Sequence, residues 1–195
     1  VGKEVIDLET CYDACRQVPP SALKELLVEV PEVRWEDIGG YEKTKEALKE
    51  AVEWPIQHGW AFESMNIEAP RGVLLYGPPG CSKTMMAKAV ATETEMNFIS
   101  VKGPELFSKY VGDSEQNIRE VFRKARAASP CVIFFDEVDS LGSSRENEGG
   151  GVASRVLAQL LAEMDGIGSA QRHVVVLAAT NRPQALDAAL TRPGR

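Results

Sequence analysis

Residues 73–84, VLLYGPPGCSKT, decide the fold. The β-favouring run Val73–Tyr76 enters a turn, Gly77-Pro78-Pro79-Gly80, and Lys83-Thr84 open a helical pattern with Met86, Ala87, Val90 and Ala91 on one face. A strand, a glycine-rich turn and a helix in this order present backbone N–H groups at the helix start to a phosphate. The lysine adds a point charge, and the hydroxyl after it is a ligand for Mg²⁺. Gly77, Gly80, Lys83 and Thr84 fill these roles. Ser82 stands where the commoner pattern has glycine. If its φ is positive, the serine costs about 1 kcal/mol, well below what several charge-assisted phosphate contacts return, so the loop is expected to bind nucleotide.

Downstream of this loop, short apolar runs alternate with helical stretches. Asn97–Val101, Cys131–Phe135 and Val174–Ala179 suit buried parallel strands. Between them, Ile118, Val121, Phe122 and Ala125 share one helix face, as do Val156, Leu157, Leu160, Leu161 and Met164. With Val73–Tyr76 these make a parallel α/β sheet flanked by helices on both faces. Upstream, VRWEDIGG precedes a helix with Ala47, Leu48, Ala51 and Val52 on one face, which Pro55 is expected to end. Residues 1–30 read as a connector, interrupted by the paired prolines of VPPSAL.

A second chemical signal is CVIFFDEVD, an apolar strand ending in Asp136 and Glu137. Asp136 falls at the carboxyl edge of a parallel strand, where such sheets place ligands, and suits Mg²⁺ held through water. Glu137 beside it suits polarisation of an attacking water. A third is LAATNRP, in which Asn181 follows the last strand and suits orientation of that water against a terminal phosphate. Small-molecule kinases and GTPases sharing the phosphate loop do not need the adjacent glutamate.

The chain of 195 residues is 44% hydrophobic and 26% charged, enough to bury a core in one globular domain plus an extension. Its net charge of -7 is a poor electrostatic match for a nucleic-acid backbone, and no direct nucleic-acid binding is expected. No apolar run approaches the roughly 20 residues needed to span a bilayer, so no membrane insertion is expected. Residue 1 is Val and no signal peptide is recognisable, which reads as a piece of a longer chain from the cytoplasm or nucleus. Cys11, Cys15, Cys81 and Cys131 lie in unlike surroundings, so neither a disulfide framework nor a zinc site is expected. Cys81 sits in the phosphate loop, where it reads as a small loop-filling residue, the alternative being a thiol whose alkylation blocks nucleotide binding.

Taken in order, WEDIGG, LLYGPPGCSKT, KGPELFSKYVG, IFFDEVDS, LAQLLAEMDG, AATNRP and ALTRPGR closely resemble the AAA ATPases of the valosin-containing-protein class. The match covers residues 31–195 and implies the large subdomain of a P-loop ATPase. Such proteins form rings, usually hexameric, and use ATP and Mg²⁺ to unfold or remodel protein substrates delivered by adaptors. The resemblance implies that Asp37 and Gly39 lie near the adenine and that Pro79, Gly80, Cys81, Ser82, Lys83, Thr84 and Met85 surround the phosphates. It makes Thr84 and Asp136 the metal ligands, Glu137 the catalytic base and Asn181 the sensor. Arg192 and Arg195 match arginines that reach a neighbouring subunit's site, and Lys109, Tyr110 and Val111 match a pore loop that grips extended polypeptide. These last two motifs disfavour a small-molecule kinase or GTPase.

Residues 18–30 are similar to the connector after a first ATPase domain, which implies the second domain of a tandem protein. GCSKT, KYVG and SRVLAQLLAEMDGI are similar to the ribosome-biogenesis subfamily, the diazaborine-resistance and spermatogenesis-associated proteins. This implies pre-ribosomal particles as substrate. NFISVKGPEL and PCVIFFDEVD also suit the nuclear valosin-like subfamily, an alternative with other substrates; a further alternative is a ring scaffold whose nucleotide is structural. The family pattern expects a fifth core strand and a helical lid beyond Arg195, so the piece in hand is expected to be a weak ATPase in isolation.

Overall fold

The computed structural model describes residues 32–65, 70, 72–106, 113–141, 150–166 and 174–192. Four parallel strands, β1 (Gly72–Tyr76), β2 (Asn97–Lys102), β3 (Cys131–Asp136) and β4 (Val174–Thr180), pair in the order β1-β4-β3-β2. Each agrees with the run that the sequence marks as a strand to within a residue at either end. The order itself follows from no local pattern. It brings the carboxyl ends of β1, β4 and β3 side by side, with Tyr76 opposite Thr180 and Phe135 opposite Ala178.

Alternate residues of the strands feed two apolar layers, as the period of two requires. Leu75, Phe98, Val132, Phe134, Leu177 and Ala179 face one layer, while Ile99, Ile133, Phe135, Val174 and Val176 face the other. The first layer is covered by α4 (Lys83–Glu93), and the second by α5 (Asp113–Ala127) and α6 (Gly150–Asp165). Phe98 stacks on Phe134 at 5.9 Å between ring centroids and Phe122 of α5 on Phe135 at 6.2 Å, so each layer has an aromatic anchor. Arg126 of α5 bridges to Glu163 of α6 at 2.8 Å, joining the two helices on the second face.

The predicted face of α4 is buried, and Ala89 is buried with it. Coverage on more than one side arises because α4 is sandwiched between the sheet and the segment carrying Trp35, Ile38, Leu48 and Val52. The upstream helix differs from expectation in two ways. Helical structure runs through α1 (Glu42–Leu48), a π-helical stretch Lys49–Glu53, α2 (Trp54–Gln57) and α3 (Gly59–Ser64), so Pro55 does not end it. The wider π register, with the Trp54 N–H reaching the Lys49 carbonyl, opens the turn just before a residue that has no N–H and crowds a regular helix. Pro55 then sits in the first turn of α2, where a missing N–H is tolerated. Ala47 is exposed, and the buried face is Lys45, Leu48 and Val52. Lys45 lays its stem along this face and its ammonium donates to the Ile38 carbonyl at 2.6 Å, next to Glu42 at 3.5 Å. The expected connector, residues 1–30, lies outside the described residues.

Candidate nucleotide site

The site is assembled from the three strand ends that the topology makes neighbours. β1 runs into the loop Gly77–Ser82, where Gly80 has φ 82° and Ser82 φ 55°, ψ 24°. Ser82 therefore adopts the left-handed conformation that glycine enters freely, realising the cost of about 1 kcal/mol that its side chain was expected to carry. Its carbonyl already accepts the Met86 N–H at 2.8 Å, so the serine caps α4 and the strain is localised to one residue. Residues of alternating hand just before a helix turn successive N–H groups toward one point, a concave anion site to which the α4 dipole adds.

Lys83 Nζ donates to the carbonyls of Gly77 and Pro78, each at 2.9 Å, and to Asn181 Oδ1 at 2.8 Å. These contacts use the ammonium's three donors and draw together residues 98 apart in sequence. Thr84 Oγ1 donates to Asp136 Oδ2 at 3.0 Å, and Asp136 Oδ1 accepts the Glu137 N–H at 2.9 Å. Glu137 is exposed and left-handed, with φ 53°. A residue without glycine's freedom held there stores of order 1–3 kcal/mol, a cost found where function fixes a side chain. Its carbonyl accepts the Ser140 N–H at 3.0 Å, which starts the 3-10 turn Val138–Leu141. From the β2 side Gly103 closes on this turn: a Cβ there would lie 2.5 Å from the Glu137 carbonyl oxygen and nearer still to Ser140 Oγ.

The sequence-derived candidates do not all fall together. Lys83, Thr84, Asp136, Glu137 and Asn181 converge around the loop. Asp37 and Gly39 lie in the approach to Tyr41, whose hydroxyl bonds the Cys81 thiol. The Asp37 carboxylate is engaged locally, accepting the Arg34 N–H at 2.8 Å. The Tyr41 phenol is raised above its ordinary pKa, first by that hydrogen bond and then by the charge of a Cys81 thiolate. Met85 is exposed at the start of α4. Arg192 borders a cavity of about 230 Å³ with Gly72, Val138, Leu160, Met164 and Leu190, on the α6 face of the sheet. Lys109, Tyr110, Val111 and Arg195 lie outside the described residues.

Thr180 and Asp139, both inside the motifs already quoted, also belong to this site. Thr180 Oγ1 donates to Asp139 Oδ1 at 2.8 Å and accepts the Arg182 N–H at 2.9 Å. The signal available was a third acid two residues after Glu137 and a hydroxyl next to Asn181; their pairing depends on β3 and β4 being neighbours.

The donor set fits nucleotide and metal. A hydroxyl and a carboxylate in contact are hard oxygen ligands of the kind Mg²⁺ takes, and Thr84 and Asp136 would hold that ion here. A parallel sheet with a lysine-bearing loop after β1 and an acidic pair after β3 defines a P-loop nucleotide-binding α/β domain.

Within that class the chain belongs to the AAA family, the ATPase family associated with various cellular activities, whose model matches residues 73–195. It is 57% identical over 188 residues to a cell division cycle protein 48 homolog of Archaeoglobus fulgidus, covering 96% of this chain and 26% of the relative. Against the ATPase family gene 2 protein of Schizosaccharomyces pombe it is 58% identical over 189 residues, covering 97% and 23%. With the human ATPase family gene 2 protein homolog A it shares 56% over 196 residues, covering 100% and 22%. The chain thus spans about a quarter of the length of the curated relatives it matches.

Proposed function

We infer that this domain binds and hydrolyses ATP with Mg²⁺, as part of a longer protein that remodels other proteins. The observation that supports this best is the meeting of Lys83, Thr84, Asp136, Glu137 and Asn181 at adjacent strand ends. The loop N–H groups from Gly80 to Met85 and the Lys83 ammonium hold the phosphates, the lysine exchanging its carbonyl partners for phosphate oxygens. Asp37 and Gly39 sit toward the adenine. Thr84 and Asp136 hold Mg²⁺, which when bound neutralises charge on the terminal phosphates. The Glu137 carboxylate accepts a proton from the attacking water, and the Asn181 amide, its oxygen turned to Lys83, offers its NH₂ end to orient that water.

The arginine pair Arg192 and Arg195 completes the site of a neighbouring copy in a hexameric ring, while Lys109, Tyr110 and Val111 grip substrate polypeptide in its channel. The placement of Arg192 on the α6 face, with Lys83 and Thr84 on the α4 side, supports action on a neighbour. Similarity to proteins named ATPase family gene 2 and cell division cycle protein 48 supports a remodelling ATPase; its proposed place is the cytoplasm or nucleus. Its proposed substrates are pre-ribosomal particles reached through adaptors.

The test is steady-state ATP turnover of the full-length protein against a Lys83→Ala control. A component of turnover that depends on Lys83 is expected. Assembly with ATP and no turnover above that control would instead make the domain a nucleotide-dependent scaffold.

A further inference from the structure

Thr180 closes β4 one residue before Asn181 and is 1% exposed. Besides its hydroxyl contacts to Asp139 and to the Arg182 N–H, its carbonyl accepts the Gly77 N–H at 3.3 Å. One buried residue thus touches the start of the phosphate loop, the turn after Glu137 and the backbone just past Asn181. Asp139 lies two residues beyond Glu137, inside the 3-10 turn Val138–Leu141. The left-handed Glu137 is therefore held on both sides, by Asp136 through its own N–H and by the turn behind it, which Asp139 ties to β4. Gly103 blocks the turn from shifting toward β2. A strained backbone persists where its surroundings over-determine it, and a hydrogen bond to a carboxylate is among the stronger ties available.

We propose that Thr180 and Asp139 are positioning residues for ATP hydrolysis: their hydrogen bond holds the Glu137 turn against the end of β4 and so sets Glu137 relative to Asn181. Neither residue touches nucleotide or water in this account; both act through their neighbours. The inference rests on Glu137 being the base and Asn181 the sensor.

The test uses the full-length protein and its Lys83-dependent turnover. Thr180→Val keeps the shape of the side chain and removes the hydroxyl; it is expected to lower kcat by roughly 10–100-fold, as loss of an orienting outer partner does, and to leave KM for ATP unchanged. Asp139→Ala reads the pair from the other side and serves if Thr180→Val does not fold. It is expected to show the same split, and the double variant no further loss, because the two act as a unit. Thr180→Ser restores the hydroxyl and recovers most of the rate. In a Glu137→Gln background Thr180→Val costs nothing more.

Parental kcat in folded Thr180→Val or Asp139→Ala would overturn the proposal. So would a change confined to KM, or a Thr180→Ser loss as deep as that of valine. If Glu137→Gln itself turned over at the parental rate, the base assignment would fail and this inference with it. If Glu137→Gln were inactive and Thr180→Val parental, the positioning role alone would fail.

Discussion

Glu137→Gln in the full-length protein is expected to keep ATP binding and to lower Lys83-dependent turnover by about 10²–10⁴-fold, the range a positioned general base contributes. The amide is the same size as the carboxylate, so the left-handed backbone at φ 53° and the N–H bond to Asp136 Oδ1 remain available to it. What it cannot do is accept a proton from water. Binding survives because Lys83, Thr84 and the α4 amino terminus are unaltered, and their contacts do not pass through the Glu137 side chain. Measured together, nucleotide affinity and turnover separate the base from the binding groups. Parallel loss of both would assign Glu137 to binding, and undiminished turnover would remove it from the chemistry.

Arg192→Ala is expected to lower turnover by about 10³–10⁵-fold where the arginine stabilises charge on a neighbour's phosphates. The residue borders the cavity beside Gly72 and Leu190 on the α6 face, whereas Lys83 and Thr84 open α4 on the other. Action across a subunit boundary has a signature that a merely destabilising change lacks. Inactive Arg192→Ala subunits mixed and reassembled with inactive Glu137→Gln subunits form some interfaces in which an intact Glu137 meets an intact Arg192. Turnover should reappear in the mixture. Its absence in mixed rings of confirmed composition would exclude the trans role, and parental turnover of Arg192→Ala alone would exclude any role.

The sheet was legible because each strand is a short apolar run bounded by turn residues, and because helices such as α5 carry their apolar side chains at regular spacing. β3 shows no alternation to read, since Cys131 to Phe135 are all buried between helical layers. Its short apolar run ending at Asp136 identified it instead. The catalytic candidates were legible where they cluster in one motif, as with Lys83-Thr84 and Asp136-Glu137. Pairs made across the fold were not. Lys83 meets Asn181, and Thr180 meets Asp139, only because β4 inserts between β1 and β3, and periodicity carries no strand order. Backbone hand was legible for Ser82 only as a condition, and for Glu137 not at all, because the left-handed turn after β3 is imposed by contacts from Asp136, Asp139 and Gly103. Pro55 misled for a similar reason. A π-helical stretch ahead of it absorbs the defect that a proline introduces into a regular helix.

Cys81 offers the most direct test that this loop is the one that binds triphosphate. Its thiol lies half-buried in the loop beside Lys83, whereas Cys131 is fully buried and its thiol is pushed up to about 12 by that burial, making it a slow internal reference. The rate of Cys81 alkylation in the full-length protein, followed by peptide mass, reports on this site even when other nucleotide sites are present. Saturating MgATP is expected to slow that rate by at least ~10-fold and Lys83→Ala to abolish the protection, a ratio set by the charge-assisted contacts it removes. A Cys81 rate unchanged by MgATP, or protection that survives loss of Lys83, would contradict that assignment of the loop.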